Sequence, residues 1–498
     1  MSGHWLGVDV GTSGVKVVAV DDAGEVVATH TCSYPLQTPR PGWTEQHPED
    51  WWQGTLEAVR AVVAALDSAG GTVAGVGLSG QMHGMVALDR HGEVLRPAIL
   101  WNDNRNAAEC ELQVERVGGL DALVGLTNNA ALPGYTLGKI LWLRRHEPEV
   151  FECTEVVLNP KDFLRLRLTG ERATDVSDAS GFGALDVRRR RWSDDLLAAL
   201  ELPGSLLPPV VESDAPAGRI TAEAAALTGL PAGTPVVAGG GDSVLQTTSM
   251  GIVAPGTLGI TLGTAGILGA ALERCPDNVG GRLQISCGNE AGRWHVMGVA
   301  LSTGGALQWW AKALRALVPD ADAATVTELA GRSPVGARGV RFLPYLVGER
   351  APHVDPDARA GFVALDLSHD LTYLSRAVLE GALLNLREIR DVMAAAGVAT
   401  DDVRISGGAS AYPVWRQTLA DVLGTEVHLV TGGEQGAAYG AALLAGVGGG
   451  RWSSLSEALG HVVVTDRVSP DPASVAVHDA GYDEFRRIYP ALTTTRTS

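Results

Sequence analysis

A short sequence near the start of the chain recurs, as an internal echo with several identical residues, just after the middle of the chain. Residues 6–20 read LGVDVGTSGVKVVAV, and residues 258–272 read LGITLGTAGILGAAL. Leucine, two glycines, threonine and a further glycine fall at the same offsets in both copies. Each copy has the pattern of a strand, a Gly-Thr turn and a second strand, which predicts a β-hairpin. We therefore expect two related lobes that each begin with such a hairpin, although a chance match in a glycine-rich chain is the alternative.

Throughout the chain, short β-rich runs alternate with amphipathic stretches of helical spacing. This alternation predicts an α/β fold. The clearest predicted strands are 73–78, 156–158, 235–238 and 403–405, and the clearest predicted helices are 56–66, 373–396 and 414–423. We also expect the glycine-rich segment 446–451 to be a surface loop.

A chain of 498 residues is too long for one ordinary core and suits two large domains. The boundary is expected where a run of glycines follows a predicted strand, at Gly239–Asp242. The predicted domains are therefore residues 1–241 and 242–498.

Composition limits the partners that such a protein can have. The formal net charge is −18, and this acidic balance argues against nucleic acid or an anionic membrane as the main partner. The five cysteines form no CxxC pair, which is typical of free thiols in a reducing cytosol. No basic segment followed by an apolar run opens the chain, and no apolar run reaches membrane-spanning length, so we expect a cytoplasmic protein.

The two predicted hairpin turns suit phosphate binding. A Gly-rich turn lets backbone N–H groups point at phosphate oxygens, and the hydroxyls of Thr12, Ser13 and Thr264 are further donors. Only the first copy carries charged residues at these positions. Asp9 offers a carboxylate that could hold magnesium, and Lys16 offers a cation that could contact a phosphate. The alternatives are a turn carboxylate bonded to its own backbone and a solvated strand lysine.

An aspartate follows the glycine run at the expected domain boundary. Residues 235–242 read PVVAGGGD, and a helical pattern begins at Asp242. An aspartate at a helix start is often only an N-cap. A cap does not need three preceding glycines, which permit close approach of a ligand or a hinge. Asp242 is therefore a candidate to accept a proton from a substrate hydroxyl that attacks a γ-phosphoryl group.

Two further segments carry polar side chains suited to a polyhydroxy compound. The loop SGQMHG follows the predicted strand 73–78, and it offers His83 as a donor to a hydroxyl and Met82 as a packing surface. The run LWNDNR contains Trp101, Asn102 and Asp103, which would equally suit an exposed loop. VRISGGAS (403–410) and TGGALQW (303–309) each place a Gly pair before a helix, which is a weak indication of nucleotide binding.

Taken together, these segments resemble the FGGY carbohydrate kinases. The resemblance rests on GVDVGTSGVK, PGWTEQHPEDWW, SGQMHG, RPAILWNDNR, PGYTLGKILWL and RAVLEG, and it covers almost the whole chain. SGQMHG together with ILWNDNR resembles the branch of the family that phosphorylates D-xylulose. The resemblance implies an α/β protein of two ribonuclease-H-like lobes, the actin-like ATPase superfold, with a central catalytic cleft. It also implies ATP and Mg²⁺ as cofactors, a sugar as substrate, and a homodimer as a possible assembly.

The resemblance assigns roles to individual positions. Asp242 is the catalytic base, and Asp9 is a catalytic carboxylate on the magnesium side, with both as metal ligands. The sugar is contacted by Met82, His83, Trp101, Asn102, Asp103 and Asp242. Phosphates face Thr12, Ser13, Lys16, Gly263 and Thr264, and the nucleotide lies by Gly304, Gln308 and Gly408. The first domain would bind the sugar and the second the nucleotide.

Three positions depart from the family pattern. Ser243 stands where the family often has Asn, which puts the exact sugar in doubt, whereas Ala364 in place of Gly and Tyr373 in place of a polar residue are expected to affect packing. Three other readings remain open: a kinase for a related pentulose, 1-deoxy-D-xylulose or a polyol; a non-catalytic sugar-binding regulator; and a chaperone-type ATPase. The acidic charge and the absence of residues for a DNA-binding or peptide-binding domain count against the last two.

Overall fold

The computed structural model describes residues 3–493. Residues 1–2 and 494–498, at the outer ends of the two predicted domains, lie outside the described residues. By its internal contacts the chain divides into two compact units. Unit 1 takes the chain up to Ala254 together with Ala271–Val296 and Gln435–Val462, and unit 2 takes Pro255–Ala270, Met297–Glu434 and the chain from Val463 on.

The strands come in chain order as follows: β1 (Gly3–Val10), β2 (Gly14–Val20), β3 (Val26–Ser33), β4 (Glu45–Gln46), β5 (Thr72–Gly80), β6 (Val86–Leu88), β7 (Ala98–Ile99), β8 (Val156–Leu158), β9 (Thr174–Asp175), β10 (Leu185–Asp186), β11 (Arg191–Trp192), β12 (Val210–Val211), β13 (Pro216–Arg219), β14 (Pro235–Val237), β15 (Gly240–Gly241), β16 (Thr257–Leu262), β17 (Gly266–Leu272), β18 (Gln284–Cys287), β19 (Trp294–Ala300), β20 (Arg341–Leu343), β21 (Gly361–Val363), β22 (Asp402–Ser406), β23 (Val427–Val430) and β24 (Val464–Val468).

The α-helices are α1 (Pro48–Ser68), α2 (Ala107–Val117), α3 (Leu120–Thr127), α4 (Thr136–His146), α5 (Pro148–Cys153), α6 (Pro160–Thr169), α7 (Val176–Ser180), α8 (Asp194–Ala199), α9 (Ala222–Thr228), α10 (Asp242–Ser249), α11 (Gly304–Leu314), α12 (Ala323–Gly331), α13 (Leu371–Ala395), α14 (Pro413–Leu423), α15 (Ala437–Gly448), α16 (Leu455–Ala458) and α17 (Pro472–Thr493). Short 3₁₀ helices lie at Gly204–Leu206, Val279–Gly281, Ala337–Gly339, Gly408–Ala411 and Leu459–His461.

Unit 1 is built on a sheet in which three parallel strands lie side by side. The strand order is β13-β14-β5-β1-β2-β3, and β15 pairs with the end of β5. β5 is parallel to β1, β14 and β15, whereas β2 and β3 continue antiparallel from β1. The amphipathic helix α1 covers one face, where Trp51 and Trp52 are buried against valines and leucines of the sheet. The carboxyl ends of β1, β5 and β15 therefore lie together at one edge.

A second seven-stranded sheet has the order β18-β19-β17-β16-β22-β23-β24, and its central strands lie in unit 2. β16 and β17 are antiparallel, whereas β22 is parallel to both β16 and β23. The arrangement matches that of the first sheet, in which the hairpin β1–β2 is followed by the parallel strand β5. The predicted pair of hairpins is therefore confirmed, since the two copies of the echo form β1–β2 and β16–β17.

The units differ from the predicted division at residue 241 because a late helix returns to the first sheet. α15 lies on β1 and β5 and is part of unit 1. The contact is close: a Cβ added at Gly7 would overlap the carbonyl oxygen of Ala438, and one at Gly77 would overlap that of Ala441. Small residues on both sides allow the backbones to approach, and a reading by chain order alone does not reveal this return.

The prediction of a surface loop at 446–451 is wrong for the first half of that segment. Gly446 and Gly448 are the last turn of α15, and Gly446 is buried. A Cβ at Gly446 would overlap the ring of Trp452, and one at Gly449 would overlap Trp5. The glycines therefore serve close packing against two tryptophans, and the chain turns only after them.

Ala364 has a physical cost that the sequence did not indicate. Its φ is 66°, in the left-handed region that favours glycine, and the residue is exposed. The expected effect on packing is therefore wrong for Ala364, because the cost is backbone strain. Tyr373 lies in the first turn of α13 with its ring edge-on to His369. Among the described residues, no helix is both long and apolar enough to cross a membrane.

Candidate active site

The predicted residues of the first half converge on the carboxyl edge of the three parallel strands in unit 1. Asp9 of β1, Ser79 of β5 and Gly240 of β15 lie opposite one another in register. The chain leaves each strand at this edge, into the Gly11–Thr12 turn, the Gln81–Gly84 loop and the start of α10. Loops at the carboxyl ends of parallel strands are where α/β proteins bind ligands.

Asp242 is the first residue of α10, and its carboxylate lies in an unusual electrostatic setting. Burial and the nearby negative charge of Asp9 raise the pKa of Asp242 to about 7. Hydrogen bonds oppose this rise: the Ser243 N–H and hydroxyl both donate to Oδ1, at 2.7 and 3.2 Å, and the Met82 N–H donates as well. A carboxylate with a pKa near neutrality suits a general base.

The three glycines before Asp242 have a packing reason. Gly239 has a φ of 84°, and a Cβ there would overlap the carbonyl oxygen of Leu78. A Cβ at Gly240 would overlap the Asn289 amide, and one at Gly241 would come within 2.7 Å of the Met82 sulfur. Close passage of this segment against β5 therefore requires glycine at 239, and a larger residue at 240 or 241 would displace neighbouring side chains, which is a different reason from the expected ligand approach or hinge.

Asp9 lies at the end of β1, held between two neighbouring strands. Its Oδ1 accepts a hydrogen bond of 2.7 Å from the Ser79 hydroxyl, and Lys16 is its cross-strand partner in β2. Burial raises the pKa of Asp9, and the Ser79 hydrogen bond and the charge of Lys16 oppose the rise. Asp9 therefore bonds to a side chain rather than to its own turn, and Lys16 balances its charge. Ser13, on the adjacent turn, is exposed.

His83 is held in a strained backbone conformation by several partners. Its φ is 71°, and its ring stacks on Tyr135 with centroids 4.7 Å apart. Its carbonyl oxygen accepts hydrogen bonds from Lys139 Nζ at 2.7 Å and Thr136 Oγ1 at 3.0 Å. Strain that the surroundings maintain in this way is concentrated at functional sites.

The ring of His83 is oriented by a backbone carbonyl. Nδ1 lies 2.7 Å from the carbonyl oxygen of Gly181, which can only accept, so Nδ1 carries the proton. A neutral ring then has its lone pair on Nε2, which accepts a hydrogen bond from a hydroxyl. The expectation that His83 contacts a sugar hydroxyl stays a prediction, with Nε2 as the accepting atom when the ring is neutral. Met82, on the same loop, is 3% exposed and lies against Gly241.

A chain of side-chain hydrogen bonds joins the first turn to the Gln81 loop. The Thr12 hydroxyl donates to Gln81 Oε1 at 3.1 Å and accepts from Trp101 Nε1 at 2.9 Å. The amide of Gln81 donates to Gln46 Oε1 at 3.0 Å, and Gln46 Nε2 donates to the Thr12 carbonyl at 2.7 Å. Because its single hydrogen is given to Gln81, the Thr12 hydroxyl is not a phosphate donor in this arrangement, and it positions Trp101 instead.

Asn102 and Asp103 differ in what they present. Asn102 Oδ1 accepts from the Thr44 hydroxyl at 2.8 Å. Asp103 is fully buried, and both of its oxygens accept hydrogen bonds, from the Thr44 N–H at 2.6 Å and from Arg105 at 2.7 and 2.9 Å. Its carboxylate therefore holds the loop together rather than facing a ligand.

In unit 2, three of the predicted nucleotide residues come together at the second hairpin. The carbonyls of Gly263 and Thr264 accept hydrogen bonds of 3.0 Å from the N–H groups of Thr303, Gly304 and Gly305. A Cβ at Gly304 would come within 2.5 Å of the Gly263 oxygen, so this approach requires glycine. The side chain of Thr264 is exposed at the turn.

The other two predicted nucleotide residues lie on neighbouring elements of unit 2. Gly408 follows β22, and the preceding Gly407 has a φ of 92° and packs against Leu262 of β16. Gly408 itself is exposed. Gln308 is exposed one turn after Gly304 on α11. The carboxyl ends of the parallel strands β16 and β22 thus carry the Gly263–Thr264 turn and the Gly408 turn side by side.

Sequence reasoning missed several residues that hold these sites in place. In unit 1 they are Gln81, Tyr135 and Ser177. In unit 2, Glu349 Oε1 accepts from the Leu301 N–H at 3.0 Å, just before the Thr303–Gly305 segment, and burial raises the pKa of Glu349 to about 8. Gln81 and Tyr135 lay inside the motifs SGQMHG and PGYTLGKILWL and could have been found, whereas nothing in the sequence points to Ser177 or Glu349.

Comparison with known protein families identifies both halves of the chain. The model of the FGGY family of carbohydrate kinases, N-terminal domain, matches residues 4–249. The model of the FGGY family of carbohydrate kinases, C-terminal domain, matches residues 258–449.

Individual relatives match over nearly the whole chain. A xylulose kinase of Escherichia coli (strain K12) is 40% identical over 490 residues, which are 98% of this chain and 99% of the relative. A crystal structure described as a xyloylose kinase from Brucella ovis is 35% identical, with a TM-score of 0.92 over 99% of this chain and 100% of that one. A gluconate kinase structure from Lactobacillus acidophilus is 25% identical, with a TM-score of 0.91 over 99% and 98% of the two chains. These matches confirm the predicted fold class, two lobes of the actin-like ATPase superfold.

Proposed function

Since the chain belongs to the FGGY family of carbohydrate kinases, we propose that it transfers the γ-phosphoryl group of ATP to the 5-hydroxyl of D-xylulose, as a step of xylose catabolism. The observation that carries the proposal is the pair of carboxylates at one sheet edge of unit 1. Asp242 has a pKa raised to about 7 beside Asp9, and the Met82–His83 loop adjoins both. The xylulose kinases among the relatives, at 40% identity over nearly the full chain, support the choice of sugar.

Asp242 acts as the general base. Its carboxylate accepts hydrogen bonds from both donors of Ser243 and from the Met82 N–H, which hold it in place to take the proton of the attacking hydroxyl. The transition state of phosphoryl transfer is loose, so placing the hydroxyl matters as much as removing its proton. Helix α10 begins at Asp242, which fixes the direction of the carboxylate.

Carbohydrate kinases of this family use ATP with a divalent metal, and Mg²⁺ is the ion proposed here. The residues fit such an ion: Asp9 and Asp242 repel each other, and a cation beside them relieves that repulsion. No group of three or more acidic, His or Cys ligands occurs in the part of the chain that the structure describes. This agrees with Mg²⁺, which proteins often bind through one or two carboxylates plus substrate phosphates. The bound ion neutralises charge on the phosphates.

The sugar is held by side chains of unit 1. Met82 supplies an apolar surface next to Gly241, and Nε2 of neutral His83 accepts a hydrogen bond from a sugar hydroxyl. Trp101 and Asn102 complete the contacts, whereas Asp103 supports their loop through Thr44 and Arg105.

The nucleotide is held by unit 2, as expected for the second half of the chain. Gly263, Thr264, Gly304, Gln308 and Gly408 lie on the turns and the helix at one end of its sheet, where backbone N–H groups and the exposed Thr264 hydroxyl suit phosphates. Thr12 and Ser13 belong to the first turn, where the peptide N–H groups and the Ser13 hydroxyl are the proposed donors, and Lys16 lies just after it on β2.

The test is the release of ADP by the purified chain with a panel of acceptors. We expect the highest kcat/KM with D-xylulose, lower values with D-ribulose and 1-deoxy-D-xylulose, and the lowest values with polyols and D-gluconate. D-gluconate is included because a gluconate kinase is among the similar structures. A preference for another acceptor would overturn the assignment of the sugar. No ADP release with any acceptor would overturn the assignment of kinase activity. We further propose that the protein is cytoplasmic and forms a homodimer. Light scattering of the purified chain tests the dimer directly.

A further inference from the structure

Beneath the Gly239–Asp242 segment of unit 1 lies a fully buried group of charges, which we call the Lys161 cluster. It consists of Lys161, Asp162, Arg165, Asp175 and Asp178, all at zero exposure. Lys161 Nζ lies 2.5 Å from Asp162, 2.9 Å from Asp175 and 3.4 Å from Asp178, and Arg165 lies 2.8 Å from Asp162. Sequence reasoning assigned no role to any of these residues.

Buried charges of this kind stabilise a fold poorly. Their desolvation offsets much of their attraction, and apolar residues of similar volume often do as well. Where its groups are hydrogen-bonded, a buried polar network does, however, fix the directions of those donors and acceptors. The residues that the Lys161 cluster holds in place therefore indicate what it is for.

The cluster and two adjoining serines contact the backbone that leads to Asp242 at three successive points. Arg165 Nη1 donates to the carbonyl oxygen of Ala238 at 3.0 Å, and the Gly239 N–H donates to the carbonyl oxygen of Ser213 at 2.9 Å. The Gly241 N–H, immediately before the proposed base, donates to Ser177 Oγ at 3.1 Å.

Ser177 is itself oriented by Asp175. Oδ2 of Asp175 accepts from the Ser177 hydroxyl at 2.5 Å, from the Ser177 N–H at 2.7 Å and from the Ser213 hydroxyl at 2.7 Å. The other oxygen of Asp175 faces Lys161. Because the hydroxyl hydrogen of Ser177 is committed to Asp175, its lone pairs are directed to the Gly241 N–H and to Asn289 Nδ2, 3.2 Å away.

We propose, resting on the kinase activity proposed above, that Ser177, oriented by Asp175 and the Lys161 cluster, is a positioning residue that fixes the carboxylate of Asp242 at the attacking hydroxyl. Helix α7, which carries Ser177, also leads into Gly181, whose carbonyl orients the ring of His83. One short helix thus supports both the proposed base and a proposed sugar contact.

The chain offers a matched control on the same helix. Ser180 is buried like Ser177, its hydroxyl donates to the Val176 carbonyl at 2.7 Å, and it accepts from the Cys287 N–H at 3.0 Å. Ser177→Ala and Ser180→Ala each leave one buried backbone N–H without its side-chain acceptor. Only Ser177→Ala releases the residue next to Asp242.

The experiment measures kcat, both KM values and thermal unfolding for the wild type and both variants, with amide hydrogen exchange of the peptide that contains Gly241. Ser177→Ala is expected to lower kcat by about 10- to 100-fold, since misplacing a catalytic group by about 1 Å costs this much. KM for ATP is expected to stay within about twofold, and exchange is expected to quicken in the Gly241 peptide. Ser180→Ala is expected to keep kcat and to lower the unfolding temperature by no more than Ser177→Ala does, since the Ser177 hydroxyl makes one more hydrogen bond.

Three results would overturn the proposal: near-wild-type kcat in Ser177→Ala, equal losses of kcat in the two variants, or unchanged exchange at Gly241. A wild-type chain that phosphorylates no sugar overturns the proposed function as well, which separates the two failures. If Ser177→Ala does not fold, Ser177→Cys takes its place, because it nearly keeps the volume but has a much weaker hydrogen-bonding group.

Discussion

At the scale of single residues, the charge state of Asp242 decides when the proposed reaction can run. Burial and Asp9 raise its pKa to about 7, and a general base acts only when deprotonated. We therefore expect kcat/KM for D-xylulose to level off above about pH 8 and to fall about tenfold per unit as the pH drops well below 7. A profile that stays flat down to pH 5 would contradict this assignment.

Ser243 adjusts the same pKa in the other direction. Its hydroxyl donates to Asp242 Oδ1 and so favours the charged carboxylate. Ser243→Ala is expected to move the acid limb of the pH–rate profile upward by about half to one unit, which corresponds to one modest hydrogen bond. Ser249→Ala, on the same helix but bonded only to the Gln246 carbonyl, is the control. A limb that moves downward, or moves equally in both variants, would show that Ser243 does not tune the base.

The sequence identified several of these residues but misjudged what some of them contact. Asp9, Met82 and Asp242 lie where their turns placed them, at the ends of parallel strands. Thr12 and Asp103 had the right chemistry for a ligand, but their polar atoms bond to Gln81, Thr44 and Arg105. Partners of this kind come from distant parts of the chain, and no local pattern reveals them.

At the scale of elements, the two hairpins share a fold but differ at their turn threonines. The Thr12 hydroxyl is bonded to Gln81 and Trp101, whereas the Thr264 side chain is exposed. Thr12→Val is therefore expected to raise KM for D-xylulose several-fold through Trp101. Thr264→Val is expected to raise KM for ATP several-fold through a lost phosphate contact. Steady-state kinetics with each substrate varied in turn checks both.

The two variants serve as controls for each other. Equal rises of KM for ATP in both variants would restore the sequence-based expectation that the hydroxyls of Thr12 and Thr264 both bind phosphate. No effect of Thr264→Val on KM for ATP would remove that side chain from the nucleotide site, while leaving the turn backbone in place.

The segment after β21 stores strain in one exposed alanine. Ala364 has a φ of 66°, which costs an alanine about 1 kcal/mol relative to glycine. Ala364→Gly is expected to increase the free energy of unfolding by about 0.5–1 kcal/mol in denaturant titrations. Ala64→Gly, an exposed position in the interior of α1, is expected to lower it by about 1 kcal/mol, because glycine is a poor helix former. If the free energy of unfolding changed in the same direction in both variants, the backbone strain at Ala364 would be contradicted.

Glycine runs show what could and could not be predicted about elements. The sequence indicated that 239–241 was special, since a helix cap does not need three preceding glycines, whereas 446–451 was expected to be only a surface loop. In both places the reason is a close neighbour, namely β5, Met82 and Asn289 for the first run, and Trp5, Trp452 and Asp214 for the second. Such neighbours depend on the tertiary structure, so the sequence predicts the constraint but not its cause.

At the scale of the whole molecule, the internal echo predicted the architecture. Two hairpins, each followed by a parallel strand, organise two sheets of matching connectivity. The echo could not predict which late segments return to which unit, because α15 joins unit 1 through small residues that face Gly7 and Gly77. The assignment of sugar to the first half of the chain and nucleotide to the second stays a prediction.

The central claim is that Asp242 is the base of a sugar kinase, and Asp242→Asn tests it most directly. The change keeps the size of the side chain and removes its basicity. With saturating D-xylulose, ATP and Mg²⁺, we expect kcat to fall by about 10²–10⁴-fold, with circular dichroism and unfolding temperature close to those of the wild type. A folded Asp242→Asn variant that turns over D-xylulose within about twofold of the wild-type kcat would contradict the account.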